Sequence, residues 1–326
     1  MSELRYHPLI DDWVMIAASR QGRPQMPKDW CPFCPGSGKV PDDFDVYEYD
    51  NDFPALQQDA EVPAADLCGP LFRNATGHGK CEVILYSPKH TVTLPELPVP
   101  HIRKLVDLWC ERFTAISADP EVKYVFIFEN RGAAVGVTMP HPHGQIYGYP
   151  WVPKKLQLET ENCEKYFLNK KHCLICDMRQ AEEDAGKRLI FKNDSFTVFL
   201  PYFCEYPYGV YVVSNAHKQY ITQLTDQERD DLAAILKETA GTLDALFGYT
   251  FPYMMCMHQA PVNTGKDYFD NYHFHIEFFP PMRSADKIKY NASSETGAWA
   301  HCNPTSPEEK AEELRQAHEK FLKENA

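Results

Sequence analysis

No stretch of this 326-residue chain approaches the ~18 consecutive apolar residues of a membrane span, and the start, MSELRYHPLIDDW, lacks a signal peptide's apolar core. A cytoplasmic location with no membrane partner is therefore expected. Basic residues are in deficit, with 33 Lys and Arg against 46 Asp and Glu, a formal net charge of -13. Such a field disfavours nucleic acid as well as anionic membranes, so no nucleic-acid partner is expected. An anionic substrate would need a local basic pocket. Low-complexity tracts are missing. So is an even set of paired cysteines: the 11 cysteines are odd in number and unevenly spread, which opposes a secreted disulfide framework.

What is present is an ordinary globular composition, 44 % hydrophobic and 13 % aromatic, in a chain long enough to bury a core without disulfides. Short apolar runs at 82–86, 124–128, 197–200 and 210–213 predict buried strands. Ile102, Leu105, Val106, Trp109 and Phe113 fall three or four apart, as do Leu232, Ile235, Leu236, Thr239, Leu243 and Leu246, predicting helices near 100–117 and 226–247. Thr225-Asp-Gln-Glu228 is a capping box for the second. A third helix, about 307–323, is expected on the surface.

A faint repeat organises these parts. Each half holds, in order, a CxxC, a strand ending in Ser-x-x-His, a leucine-bearing turn, a long helix, an aromatic strand and an HxH. The first copy is Cys31/Cys34, Ser87 to His90, the helix near 100–117, 124–128 and His141-Pro-His143. The second is Cys173/Cys176, Ser214 to His217, the helix at 226–247, 253–257 and His273-Phe-His275. Two similar α+β units meeting near 155–170, joined by one extended sheet, are expected.

Zinc usually takes two of its four tetrahedral ligands from a tight CxxC turn. Cys31 and Cys34 supply one pair, with His90 and His141 as matching ligands. By the repeat, Cys173, Cys176, His217 and His273 mirror them. A redox dithiol is the rival for the first pair, but such sites open a helix and Pro35-Gly36 opposes one. Free core thiols are the rival for the second. In an extended segment His141, His143 and Gln145 share a face, as do His273, His275 and Glu277. Any amphipathic strand alternates in this way, so the HxH pattern alone does not separate chemistry from core.

The run Phe128-Glu-Asn-Arg-Gly-Ala-Ala-Val-Gly-Val-Thr-Met-Pro-His-Pro-His-Gly-Gln145 resembles the galactose-1-phosphate uridylyltransferase family of the histidine-triad superfamily. Arg5 to Leu9 with Trp13-Val14, Asn51 to Leu56, Ser87 to His90 with Leu94 to Leu97, and His273 to His275 with Phe279 to Pro281 match the same family in the same order. The resemblance implies an α+β fold of two tandem histidine-triad-like units, antiparallel sheets with helices packed on them. Their bounds would be 1–158, with nucleophile and zinc site, and 159–326, with a second metal site. It implies a ping-pong uridylyl transfer in galactose metabolism. His143 attacks UDP-glucose and releases glucose 1-phosphate; galactose 1-phosphate then takes the UMP, giving UDP-galactose. Imidazole suits the task, being nucleophilic when neutral and a good leaving group from phosphorus. Gln145 stands where hydrolases of the superfamily carry an acidic third histidine.

By the same resemblance Asn51, Asp52 and Phe53 bind uridine, Arg20, Arg23, Asn130, Thr138 and Gln145 face phosphate, and Lys289 and Glu295 reach a hexose across a homodimer. Zinc is expected at the first metal site. The second, zinc or iron, has two ligand sets: Cys173, Cys176, His217 and His273, or Glu159, His258, His273 and His275, which compete for His273. Ser293, Ser294, Trp299 and His301 depart from the family pattern and leave the hexose open. The alternatives are a nucleotidyl-transferring phosphorylase of the same superfamily, acting on an ADP-sugar or dinucleoside polyphosphate, and a zinc- or nucleotide-binding module without turnover.

Overall fold

Each apolar run predicted above lies in a strand or overlaps one, and the two apolar stripes form the two long helices that cover those strands. The computed structural model describes residues 2–22, 30–64, 69 and 71–325; Arg23 lies outside the described residues. The first half contains β1 (Ser2–His7), β2 (Asp12–Ala17), β3 (Tyr47–Asp50), β4 (Asn74–Thr76), β5 (Lys80–Leu85), α1 (Val99–Ser117), β6 (Tyr124–Arg131) and β7 (His143–Tyr149). Then follow α2 (Lys154–Lys170), α3 (Leu174–Ala185), β8 (Leu189–Lys192), β9 (Phe196–Phe199), β10 (Tyr211–Ser214), α4 (Asp226–Phe247), β11 (Tyr253–His258) and β12 (His275–Phe279). Beyond a small hairpin, α5 (Ser293–Ala298) and α6 (Pro307–Glu324) complete the chain.

Nine strands form one sheet in the order β3-β5-β7-β6-β11-β12-β10-β9-β8, every pairing antiparallel. At its centre β6 pairs with β11, Asn130 opposite Met254 and Phe128 opposite Cys256. Outward from that seam the order is β6, β7, β5, β3 on one side and β11, β12, β10, β9 on the other. The faint sequence repeat is thus a pseudo-twofold about the seam, within a single α+β sheet. Both long helices lie on one face: Trp109, Phe113, Leu232 and Leu236 pack with Ile127, Ile146, Met255, Ile276 and Phe278 in one core. Each fully buried side chain of this kind contributes about 1.5–3 kcal/mol. Thr225 caps α4, accepting from the Glu228 amide.

α6 departs from its expected place on the surface. It buries Ala311, Leu314, Ala317 and Phe321 and docks on α4, because Gly241 opens a slot there. A Cβ at Gly241 would stand 2.1 Å from the Phe321 ring, so only glycine admits it. A separate three-stranded sheet, β2-β1-β4, holds the N-terminal segment beside the opposite face of the main sheet, with Leu4 packed against Leu56, Cys81 and Tyr147.

Candidate active site and metal centres

Strand alternation on β7 puts Ile146 into the helix-side core and His143, Gln145 and Tyr147 on the opposite face. His143 Nδ1 lies 2.7 Å from the carbonyl oxygen of His141. A carbonyl only accepts, so in the neutral ring Nδ1 carries the hydrogen and Nε2 the lone pair. Phe33 meets the ring edge-on, with centroids 6.0 Å apart. Beneath the strand, Gly144 admits Tyr86, whose hydroxyl would stand 2.3 Å from a Cβ there.

His143 stands where two cavities meet, sharing Thr138 and Met139 between them. The larger, about 600 Å³, has aromatic walls of Trp30, Phe33, Tyr49 and Phe53 and polar groups from Asn51, Asp52 and Gln145. That size and lining suit a small organic ligand. The smaller, about 390 Å³, is edged by Tyr86, Thr93, Glu129, Asn130 and Arg131. Asn51 shapes its own loop, its side-chain oxygen accepting from the Phe53 amide at 2.9 Å. Asp52 accepts from the Tyr49 hydroxyl at 2.8 Å. Arg20 donates to the Tyr147 hydroxyl at 3.2 Å, which in turn donates to Gln145 Oε1 at 3.1 Å. Lys289 and Glu295 pair with each other at 3.3 Å, and among the described residues they line neither cavity beside His143.

Both Cys2His2 sets are drawn together. Ligand atoms of Cys31, Cys34, His90 and His141 lie within 4.8 Å of one another, as do those of Cys173, Cys176, His217 and His273. His141 Nε2 meets the Ser87 carbonyl at 2.8 Å, which turns Nδ1 to the sulfurs of Cys31 and Cys34, each 3.7 Å away. In the second set Nδ1 of His217 and of His273 each stand 3.2 Å from Cys176 Sγ. Their other nitrogens meet Phe269 O and Ser214 Oγ. Outer oxygen partners of this kind on His141, His217 and His273 are what orients ligating histidines in a zinc donor set. Burial raises the Cys31 thiol to about 11, a penalty that a bound divalent cation reverses. Cys173 is instead held towards thiolate, first by Cys176 and then, against burial, by His217 and His273. Cys173 also N-caps α3, so this CxxC does open a helix, yet two histidines close on it.

The structure places His273 and His275 in different groups. His273 joins the cysteines, and His275 joins Glu159 and His258 in a third group. The quartet of Glu159, His258, His273 and His275 is therefore not assembled. In its place Glu159 Oε2 lies 2.9 Å from His258 Nδ1, and Glu277 Oε1 lies 3.4 Å from His275 Nε2. Lys155 brings a cation to the group, its Nζ 2.9 Å from Glu277 and 3.9 Å from Glu159.

The profile of the galactose-1-phosphate uridyl transferase N-terminal domain matches residues 1–153, and that of the C-terminal domain matches residues 159–321. The chain belongs to the galactose-1-phosphate uridyl transferase family. A galactose-1-phosphate uridylyltransferase of Thermotoga maritima is 39% identical over 317 residues, covering 97% of this chain and 98% of that one. The rat enzyme of the same name is 34% identical, over 96% of this chain and 86% of its own. A solved uridylyltransferase mutant superposes with a TM-score of 0.89 at 31% identity, over 98% of both chains. An ADP-glucose phosphorylase from Arabidopsis thaliana shares the fold, with a TM-score of 0.74 at 23% identity over 97% of this chain and 99% of that one.

In this member of the family, groups that sequence reasoning missed stand beside His143 and Gln145 or on the neighbouring strands. Tyr147 repeats the period of His143 and Gln145 and could have been read from it. Tyr86 ends an apolar run and looks like core. Glu129 follows Phe128 in the family's ENRG run, yet faces the helix side, 3.4 Å from the Tyr86 hydroxyl and 3.3 Å from that of Tyr253. Burial raises its carboxyl to about 7, against the pull of Arg131. No helix of the described residues is long and apolar enough to cross a membrane.

Proposed function

We propose that the protein transfers a uridylyl group from UDP-glucose to galactose 1-phosphate through a uridylyl-histidine at His143. The observation that carries this reading is a histidine with its Nδ1 hydrogen given to a backbone carbonyl, standing between two cavities, with glutamine rather than histidine two residues on. In the first half-reaction Nε2 bonds to the α-phosphorus and the bond from that phosphorus to the bridging oxygen breaks, so glucose 1-phosphate departs. In the second, a phosphate oxygen of galactose 1-phosphate bonds to the phosphorus and the P–N bond breaks. Nucleophile and leaving group are both sugar phosphates, whose oxygens are already anionic, so no proton has to move. An amide at position 145 suffices, donating to phosphate oxygen without acting as an acid.

In this reading the larger cavity takes the nucleoside on Asn51, Asp52 and Phe53, while Arg20, Asn130, Thr138 and Gln145 hold phosphate. Zinc occupies both Cys2His2 sets and serves structure, since four protein ligands leave no open position. The first would tie the Cys31–Cys34 knuckle to His141, two residues ahead of the nucleophile. The working form is a cytoplasmic homodimer in which Lys289 and Glu295 serve the neighbouring subunit's hexose, a reading supported by their not lining either cavity beside His143 among the described residues.

Incubation with UDP-glucose alone, followed by intact-protein mass spectrometry, tests the reading. A mass gain of one UMP is expected, lost in His143→Ala while the melting temperature stays unchanged. No gain in the wild type, or a gain with ADP-glucose in preference to UDP-glucose, would overturn it.

A further inference from the structure

A glutamine beside a phosphate has a problem of direction. Its carboxamide presents either two N–H donors or a carbonyl oxygen, and the two faces exchange by a half-turn of one bond. Phosphate oxygens only accept. If the carbonyl turned to the cavity, Gln145 would repel the group it is meant to hold.

The hydrogen bonds around Tyr147 remove that freedom. Arg20 Nη1 lies 3.2 Å from the Tyr147 hydroxyl, and a guanidinium has donors alone, so the phenol oxygen accepts there. The phenol has one hydrogen, and of the acceptors beside it Gln145 Oε1, at 3.1 Å, is stronger than the neutral thiol of Cys81, which burial keeps protonated. With Arg20 able only to donate, the chain Arg20 to Tyr147 to Gln145 runs towards the amide oxygen as the stronger acceptor. Its far end leaves the Gln145 NH₂ for the cavity. The phenol is held as well: its buried ring meets Phe128 edge-on at 5.1 Å and Tyr149 at 6.0 Å.

We infer that Tyr147 is a positioning residue, fixing the amide of Gln145 with its donors towards the transferring phosphoryl group and joining it to Arg20 as one donor array. The inference rests on the uridylyl-transfer reading. Tyr147 itself touches no reacting atom in it; the effect passes through Gln145.

Single-turnover formation of uridylyl-enzyme from UDP-glucose, in wild type, Tyr147→Phe, Gln145→Ala and the double variant, tests it. Phenylalanine keeps the ring packing, so the melting temperature should not move. The rate of uridylylation should fall about tenfold in Tyr147→Phe, the size of one lost hydrogen bond at the transition state, with the Kd for UDP-glucose changed less than about threefold. In the Gln145→Ala background the same change should cost less than about twofold, because the residue it acts through is gone. A wild-type rate in Tyr147→Phe overturns the inference. So does an undiminished loss on top of Gln145→Ala, which would place the effect elsewhere. A wild type that never acquires UMP would instead sink the transfer reading itself, so the two failures are separable.

Discussion

Replacing Gly144 by alanine should slow the enzyme far more than it unfolds it. The added methyl would stand 2.3 Å from the Tyr86 hydroxyl oxygen and 3.1 Å from both Tyr86 Cζ and the Phe128 carbonyl oxygen. Ordinary contact begins near 3.4 Å, so something must yield by about 1 Å. Tyr86 is poorly placed to do so. It is fully buried, its amide bonds to Pro142 O at 3.0 Å, its carbonyl meets His101 at 2.7 Å, and its ring abuts Trp109. The strand must move instead, and Gly144 lies between His143 and Gln145. Overpacking of this kind costs about 1–3 kcal/mol of stability. A nucleophile misplaced by about 1 Å loses on the order of 10²-fold in rate. Urea unfolding and the rate of uridylyl-enzyme formation read the two effects separately. Adding Tyr86→Phe removes the nearest atom and should restore much of the rate. Wild-type kinetics in Gly144→Ala, or a double variant no faster than the single one, would refute the steric argument.

The two metal centres should be separable: Cys31→Ser with Cys34→Ser, and Cys173→Ser with Cys176→Ser, should each remove one zinc per chain by elemental analysis and lower the melting temperature. Retention of full metal content by either pair would overturn that site. Phe321→Ala should cost about 3–5 kcal/mol in urea unfolding by emptying the slot over Gly241; a change well under that range would mean α6 is loosely docked. Glu129 sets a pH dependence. Its native pKa of about 7 lies above its ordinary 4.5, so the native state binds the proton more tightly than the unfolded chain does. The stability gained is full below the ordinary value and is lost as pH rises through about 7, roughly 3 kcal/mol in all. Urea unfolding at about pH 5 and about pH 8 should show this loss in wild type and not in Glu129→Gln; equal pH dependence in both would refute it.

The internal repeat was legible because both halves need the same side chains in the same order to build the same sheet and cradle. The apolar runs that became β5, β6, β9 and β10 carry enough hydrophobicity to declare themselves. β3, with the sequence YEYD, does not, and neither does α2, which buries little beyond Leu156, Thr160 and Cys163. Their structure depends on neighbours supplied from elsewhere in the chain. The two Cys2His2 sets were readable from spacing and repetition. The fate of His273 was not, because a face shared by two histidines does not reveal which cluster each one reaches. Lys155, one of 33 cations, acquires its place beside Glu277 only through the tertiary fold. Tyr147 and Tyr86 contribute through a hydroxyl alone, and nothing in an apolar pattern marks where a hydroxyl points.

The antiparallel seam between β6 and β11 has a consequence for how the molecule came to differ from side to side. A single half would end in a bare β6 edge, and such an edge pairs with what is nearest, including a second copy of itself. Antiparallel pairing of identical strands is two-fold symmetric, so a self-paired half is obliged to carry two equal sites. Joining the halves through α2 lifts that obligation. Position 145 can keep its amide while its counterpart, Glu277, turns to an ammonium on the connecting helix, and a mutation on one side no longer has to be tolerated on the other.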